Sequence, residues 1–426
     1  MLTREENDLL CRVEDDAPMG TIMRAHWIPA LLSEEIEEPD GKPVRVRILG
    51  ENYVAFRDTE GRIGFLDELC PHRKASLVYG RNEECGLRCL YHGWKFDVEG
   101  KCVDMSSEPP ESTLKEKVRH KAYPTHEAAG FVWTYLGEEE TAPPFERPPF
   151  FPTDDTRVSI LKMNVPANWA QITEGQIDSA HSSSLHSSDM VPAKVESAGA
   201  TDTNWLRPST DKSPRLQVER TDYGFRYAAI RRPIKNAATH NYVRVTVYVA
   251  PFISLIPPNT SYNVATVIVP IDDENTAFHF ISWGEGAPDT ATWREFAHAV
   301  RGVDTDWSYN CRRTLDNDFE QDRELMKQGN FTGIAGIPNQ DVAMWVSMGS
   351  IVDRSTDILG ASDLAIVEFR RLMVEAAQTV RDGGPVIGRT EPHTPQVDIA
   401  SYQEVIAKTT DWRKSADEAA DRRKAS

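Results

Sequence analysis

This sequence of 426 residues has few cysteines, no long apolar run and no excess of basic residues. Its six cysteines are too few for a disulfide framework. No run of about 18 apolar residues occurs, so we expect no membrane-spanning helix. The net charge of −18 argues against binding to nucleic acid or to an anionic membrane. Because the N-terminus also lacks the apolar core of a signal peptide, we expect a cytoplasmic protein.

The sequence also lacks internal repeats and any flavin- or nicotinamide-binding module. Its length predicts two or three domains with a substantial core, and its 40% hydrophobic and 27% charged residues are ordinary for a globular enzyme. A proline-rich stretch at 138–152 predicts a linker. We therefore divide the chain into residues 1–150, with a core at 26–137, and residues 153–426.

The first of these domains has the pattern of a small β structure. Residues 44–48 alternate valine or isoleucine with arginine, as in a strand with one buried face. Two more runs at 53–57 and 63–66 flank a turn at 58–61. This domain is therefore predicted to be all-β.

Two short cysteine- and histidine-bearing words follow these strands. C-P-H places Cys70 and His72 together, and C-L-Y-H places Cys89 and His92 together. Two thiolates and two imidazoles on short loops are typical of a metal site. A structural zinc site with two cysteines and two histidines has this ligand set, and so does a Rieske [2Fe–2S] centre, in which two histidines replace two cysteines on one iron.

A second metal pattern lies at 168–186. If this segment is helical, Glu174, Asp178 and His181 lie on one stripe, and His186 joins them only if the helix loosens or ends. The serines at 182–184 favour such a break, because their side chains bond to their own backbone. Two imidazoles and a carboxylate form the facial triad that binds Fe(II). The alternative is a helix whose histidines are satisfied by hydrogen bonds.

The words around these residues resemble those of Rieske non-haem iron aromatic ring-hydroxylating oxygenases, in their α subunits. They are C-P-H-R-K-A-S-L and C-L-Y-H-G-W-K-F-D, followed by N-W, Glu, Asp and two histidines in order. Quinol-oxidising Rieske proteins carry an extra cysteine in each cluster loop, where this sequence has Ala75 and Tyr91. The resemblance implies a [2Fe–2S] cluster held by the four residues Cys70, His72, Cys89 and His92.

The same resemblance implies a mononuclear Fe(II) held by His181, His186 and a distant aspartate. Asp341, in N-Q-D-V-A-M-W-V-S-M-G, matches that aspartate, although it also suits a helix cap. Asp178 would pass electrons across a subunit boundary, bridging an iron ligand to a cluster histidine such as His92. The resemblance also implies head-to-tail homotrimers, which can stack into hexamers.

The segment 347–363 resembles the phthalate dioxygenase branch, whose α subunits act without a β subunit. A carboxylate substrate needs arginines, and we select two. Arg244 shares a strand face with Tyr242, Thr246 and Tyr248, and Arg207 precedes a proline shortly after the iron histidines. The alternative for each is a surface pair with a local acid. Three lesser candidates on nearby strands are Arg215, Arg220 and Arg226.

The second domain is predicted to be a catalytic mononuclear iron domain. Its fold is expected to be an antiparallel sheet flanked by helices, of helix-grip (START-like) type. Its strands are expected near 215–220, 225–231, 241–249, 263–269 and 277–283, with an amphipathic helix at 362–380. The whole chain is thus predicted to be α+β.

We expect the oxygenase component of a Rieske dioxygenase that cis-dihydroxylates an aromatic carboxylate, with phthalate as the favoured substrate. Electrons would come from a separate NAD(P)H-dependent reductase, which the resemblance implies carries FMN and a plant-type [2Fe–2S] cluster. The alternatives are an oxygenase for isophthalate, chlorobenzoate or sulfobenzoate, an aryl O-demethylase, a Rieske electron carrier, and a zinc-binding interaction module.

Overall fold

The computed structural model describes residues 2–192, 205–257 and 262–424, and divides into two compact units. The smaller unit is Glu14–Asp16 with Met23–Phe145, and the larger is Met1–Val13, Ala17–Ile22 and Glu146–Ser426. The start of the chain therefore groups with the larger unit and not with the first domain, where it was predicted to lie. One reason is that the Asn168 amide donates to Cys11 O at 2.9 Å.

The smaller unit consists of three antiparallel sheets and a short helix. The sheets have the orders β1-β10-β9, β2-β3-β4 and β5-β6-β7-β8. This arrangement confirms the predicted all-β domain. Its elements are β1 (Trp27–Leu32), β2 (Val44–Ile48), β3 (Glu51–Arg57), β4 (Ile63–Asp67), β5 (Arg81–Glu83), β6 (Gly86–Arg88), β7 (Trp94–Phe96), β8 (Cys102–Met105), α3 (Leu114–Lys117), β9 (Thr125–Ala128) and β10 (Phe131–Tyr135).

The larger unit is a twisted antiparallel sheet with helices, as the sequence predicted. Its helices are α1 (Arg4–Cys11), α4 (Trp169–Gln176), α5 (Thr290–Phe296), α6 (Arg323–Lys327), α7 (Ile337–Ser347), α8 (Leu364–Arg381) and α9 (Trp412–Lys424), and α2 (Pro18–Arg24) spans the boundary between the units. Its strands are β11 (Arg157–Val165), β12 (Met190–Pro192), β13 (Trp205–Arg207), β14 (Arg215–Thr221), β15 (Gly224–Arg231), β16 (His240–Val249), β17 (Ile253–Ile256), β18 (Asn263–Pro270), β19 (Thr276–Gly284) and β20 (Tyr402–Ala407).

The main sheet has the order β11-β19-β18-β17-β16-β15-β14, with β20 also paired to β16. Strand β16 is longer than β17, which pairs only with its last three residues, 247–249. Strand β20 covers the rest of that edge and pairs Gln403 with Arg244. The five predicted strands and the helix near 362–380 are confirmed within a few residues. Strands β11, β17 and β20 lacked a recognised pattern.

Helices α4 and α7 pack together at Gly175. A Cβ built there would lie 2.2 Å from the indole Nε1 of Trp345, so only glycine allows the two helices to approach this closely. Gln171 adds two bonds from α4, donating to Trp345 O at 3.0 Å and to Gly349 O at 2.8 Å. This contact fixes α7 against the end of α4.

Within the described residues, no helix is long and apolar enough to cross a membrane.

Candidate metal centres and substrate cavity

The four residues predicted to hold a cluster lie on two loops of the smaller unit. Cys70 and His72 follow β4, and Cys89 and His92 connect β6 to β7. Each loop is closed by its own backbone, since Cys70 N donates to Ala75 O at 2.9 Å and Cys89 N donates to Trp94 O at 2.8 Å.

The structure brings the four side chains together as two pairs. The thiols of Cys70 and Cys89 are buried and lie close enough to hydrogen-bond. The rings of His72 and His92 meet edge to face with centroids 4.4 Å apart, nearer to solvent. Trp94 stacks on His72 at 4.3 Å with its ring almost parallel. This separation of sulfur and nitrogen donors fits a two-iron cluster, in which one iron takes the cysteines and the other the histidines.

The geometry does not fit one tetrahedral zinc ion. Zinc at ordinary bond lengths would hold its ligand atoms within about 4 Å of one another. Among the described residues, however, the sole group of three or more candidate ligands with all donor atoms within 4.8 Å lies in the other unit. Burial raises the pKa of the Cys70 thiol to about 11, so this thiol stays protonated at neutral pH until a metal ion displaces its proton.

The second predicted centre lies where α4 ends. The helix stops at Gln176, and His181–Ser183 form a 3₁₀ turn. The segment is therefore not one continuous helix, so the stripe of Glu174, Asp178 and His181 that a helix would give does not form. The helix ends at Gln176, earlier than the break expected at the serines 182–184. Asp178 forms the turn between α4 and the 3₁₀ turn, since its Oδ1 accepts from Ala180 N at 2.7 Å and from His181 N at 3.3 Å.

His181, His186 and Asp341 converge after this break. The two Nε2 atoms lie 3.1 Å apart, and Asp341 Oδ1 lies 3.6 Å from His181 Nε2 and 3.2 Å from His186 Nε2. Asp341 is not a cap, because α7 begins at Ile337 with Gly336 at its N-cap. These three residues form the group of donor atoms within 4.8 Å. Two imidazoles and one carboxylate facing one point are the donor set of an Fe(II) facial triad.

The protonation of the two imidazoles also fits a cation at this point. Burial lowers the pKa of His181. Burial also acts on His186, but Asp341 and Gln340 outweigh it and raise the pKa of that ring. The carboxylate of Asp341 therefore favours positive charge at the point that the two imidazoles face. On the other side of His181, Asp178 Oδ2 lies 3.7 Å from Nδ1.

A cavity opens beside these ligands. It contains about 590 Å³ of non-atom space, which includes open solvent at its mouth. Its walls are largely apolar, and they also carry several polar groups. The apolar lining includes Ile256, Val264, Phe278, Phe280 and Ile337, and the polar lining includes Asp178, Ser179, His181, His186, Arg244 and Asp341.

Arg244 is the arginine among the described residues that line this cavity. It is 4% exposed, its Nη2 donates to Pro257 O at 2.5 Å, and its buried Nε has no hydrogen-bond partner among the residues that the structure describes. Within the described ranges, no carboxylate forms an ion pair with it. The alternative of a surface pair with a local acid is therefore wrong for Arg244. A buried, unpaired guanidinium beside a cavity is suited to an anionic ligand.

Arg207 is also buried, at 4% exposure, but lies behind the cavity wall. Its Nη1 donates to Ser183 Oγ and its Nη2 to Ser182 Oγ, both at 2.8 Å. Burial, followed by the charges of Arg244 and Arg231, lowers its pKa to about 9. It too has no acidic partner among the described residues, so the surface-pair alternative is wrong here as well.

The three lesser arginine candidates lie elsewhere. Arg220 pairs with Glu368 and Glu375, Arg226 pairs with Glu219 and Asp417, and Arg215 is exposed. The sequence patterns did not identify another buried arginine near Arg207 and Arg244, which is Arg231 at 2% exposure. Its Nη2 donates to Ser179 O at 2.7 Å, so it braces the turn before His181. Its position in I-R-R-P carries no pattern that distinguishes it from a surface arginine.

Glu174 does not face the metal ligands. Its carboxylate accepts from Arg354 and Arg370, both at 2.8 Å, in a buried network. Its position in the motif at 168–186 therefore has a structural role, because this carboxylate holds α4 in place through the two arginines.

This chain matches the family described as Rieske [2Fe-2S] domain over residues 26–124 and the family described as LigXa C-terminal domain like over residues 134–425. The first match confirms the predicted Rieske domain. This chain is 60% identical to the phthalate 4,5-dioxygenase oxygenase subunit of Pseudomonas putida over 97% of its own length and 94% of the relative. It is 37% identical to the 3-chlorobenzoate-3,4-dioxygenase oxygenase subunit of Comamonas testosteroni over 96% of both chains.

A solved structure has the same fold. Pseudomonas putida CBB5 NdmB superposes with a TM-score of 0.61 over 90% of this chain and 98% of that one, at 17% identity. This likeness confirms the predicted combination of a β-rich N-terminal domain and an antiparallel sheet with helices.

Proposed function

This chain belongs to the family of Rieske non-haem iron oxygenase subunits, and from that premise we propose that it cis-dihydroxylates phthalate. The observation that supports this substrate is Arg244, a buried cation with no acidic partner in the described part of the chain, in the cavity that also contains His181, His186 and Asp341. The relative at 60% identity is named for phthalate, which supports the same substrate.

Phthalate suits this cavity in shape and in charge. Its flat ring matches the apolar walls formed by Phe278 and Phe280. Its two adjacent carboxylates require two cations, and we assign them to Arg244 and Arg207. Arg244 already faces the cavity, whereas Arg207 reaches it when its guanidinium exchanges the hydroxyls of Ser182 and Ser183 for a carboxylate. Together they would hold the ring against the metal ligands in one orientation.

The metal assignments follow the geometry. We assign the cluster to Cys70, His72, Cys89 and His92, and the mononuclear iron to His181, His186 and Asp341. When bound, the cluster supplies single electrons and the Fe(II) supplies a site where dioxygen is activated.

The overall reaction balances with a separate electron donor. Phthalate, dioxygen, two electrons and two protons give a cis-dihydrodiol that carries both oxygen atoms. The electrons come from NAD(P)H through a reductase, which we propose contains FMN and a plant-type [2Fe–2S] cluster. NAD(P)H is a cytoplasmic reductant, so a cytoplasmic location is part of the proposal.

Asp178 is assigned to the electron path. Its Oδ1 holds the turn that leads to His181, and its Oδ2 lies 3.7 Å from His181 Nδ1. We propose that it joins this ligand to His92 of a neighbouring subunit in a head-to-tail homotrimer, which can stack into a hexamer. A heterologous interface of this kind closes into a ring and repeats the junction in every subunit.

The test is substrate-dependent oxygen uptake by the wild type, Arg244→Gln and Arg220→Gln. Arg220 is the matched control, because it pairs with surface acids. The reductase and NADH are supplied, with phthalate, isophthalate, terephthalate, benzoate or vanillate as substrate. We expect uptake with phthalate and a cis-diol product, with kcat/KM lowered about 100-fold in Arg244→Gln and unchanged in Arg220→Gln.

Other outcomes of this test would contradict the proposal. Formaldehyde release from vanillate without diol formation would identify an O-demethylase. Coupled uptake with another acid but not with phthalate would place the chain with a different aromatic-acid oxygenase. An equal loss of kcat/KM in the two arginine variants would show that Arg244 does not bind the substrate.

A further inference from the structure

Gln340 lies on α7 next to Asp341, is 1% exposed, and holds the ring of His186. Its Oε1 lies 2.7 Å from His186 Nδ1. Its Nε2 lies 3.0 Å from Asp189 Oδ2 and 3.0 Å from Ile334 O. A carboxylate and a carbonyl only accept hydrogen bonds, so the amide nitrogen must face them and the amide oxygen must face His186.

This orientation determines where the imidazole carries its proton. An amide oxygen only accepts, so His186 Nδ1 must donate to it. In the neutral ring, Nε2 then carries the lone pair. That atom points at Asp341 Oδ1 and at His181 Nε2, where the proposed iron would bind.

We propose that Gln340 is the positioning residue of the mononuclear metal site, fixing the tautomer and orientation of His186, with Asp189 as its anchor. This inference rests on the iron site of the proposed function. It also assigns two tasks to α7, because Asp341 supplies a ligand and the preceding residue orients another. Asp189 belongs to the turn after His186, because its backbone N donates to His186 O at 3.0 Å. The hydrogen bonds therefore link His186 to Gln340, Gln340 to Asp189, and Asp189 back to His186.

Asn339 provides a matched control on the same helix. It is 2% exposed, and its Nδ2 donates to three backbone carbonyls, those of Ala297, His298 and Ala335. Its amide therefore contributes buried hydrogen bonds to the placement of α7 but contacts none of the metal ligands. Replacing either amide by leucine removes buried hydrogen bonds, yet only Gln340→Leu frees the ring of His186.

The experiment measures Fe(II) affinity in the full chain with its cluster in place. The mononuclear metal is removed with a chelator, and Fe(II) is added back anaerobically to wild type, Gln340→Leu and Asn339→Leu, with melting temperatures recorded before addition. We expect a 10- to 100-fold weaker Fe(II) affinity in Gln340→Leu. Asn339→Leu should match the wild type in affinity while its melting temperature falls at least as far.

The possible outcomes separate this inference from the proposed function. Equal Fe(II) affinities in the two leucine variants would overturn the role of Gln340. Failure of the wild type to bind Fe(II) would instead overturn the iron site itself. If Gln340→Leu does not fold, Asp189→Ala decides, because it removes one of the two acceptors that orient the amide. A severalfold loss of affinity supports the inference, and wild-type affinity overturns it.

Discussion

The carboxylate of Asp341 lies 3.2 Å from Nε2 of His186, although the two residues are far apart in the sequence. Asp341 is held by α7, and His186 by the turns after α4. Gly175 allows these helices to touch, so the donor set depends on their packing.

Replacing Asp341 by asparagine should empty the mononuclear site and leave the cluster intact. The amide is a weaker and neutral ligand, while the cluster loops belong to the other unit. We expect the iron content to fall from about three to about two atoms per chain, with an unchanged visible spectrum. Loss of the cluster spectrum in this variant would contradict the assignment.

Replacing Arg231 by glutamine should weaken phthalate binding. Its guanidinium donates to Ser179 O, and Ser179 lines the cavity. Loss of one charged hydrogen bond predicts a KM for phthalate raised about tenfold. The control is Arg226→Gln on the same strand, whose guanidinium pairs with Glu219 and Asp417. Parallel changes in KM in the two variants would show that Arg231 has no particular role.

Replacing Glu174 by glutamine should destabilise the catalytic unit. Arg354 is fully buried and Arg370 nearly so, and both donate to this carboxylate. Removing the charge leaves the buried Arg354 without a carboxylate partner, whereas Arg370 keeps Asp357, and we expect a cost of about 3 kcal/mol. Calorimetry should show a lower melting temperature, whereas Glu324→Gln, at an exposed pair with Lys327, should change it little. A melting temperature like that of the wild type would argue against this network.

His279 should make the protein lose stability as the pH falls. Burial, assisted by the charge of Lys162, lowers its pKa to about 3 from an ordinary value near 6.5. Below about pH 6.5, His279 is protonated in the unfolded chain and neutral in the folded chain. The free energy of unfolding therefore falls by up to about 1.4 kcal/mol per pH unit until about pH 3. His279→Gln does not titrate and should show a shallower decline in melting temperature from pH 7 to pH 5. Parallel declines in the melting temperatures of the wild type and His279→Gln would contradict this role of His279.

The sequence by itself determined the chemistry of the donors and the elements with a strong local pattern. Short loops hold Cys70, His72, Cys89 and His92, and their spacing alone predicts a metal site. Alternation of apolar and polar residues predicts strands such as β16, because the period of a strand is a local property. Arg244 was recognised for the same reason, as a cation on the polar face of such a strand.

Only the tertiary structure decided which distant groups meet. Contacts between helices determine where α4 ends, how Asp341 approaches His186 and how Gln340 orients that ring. Arg231 has the local sequence of a surface residue but is buried behind Ser179. Strand β20 has no strong alternation and forms because β16 offers it an open edge. Such positions are set by long-range packing, and local periodicity carries no information about it.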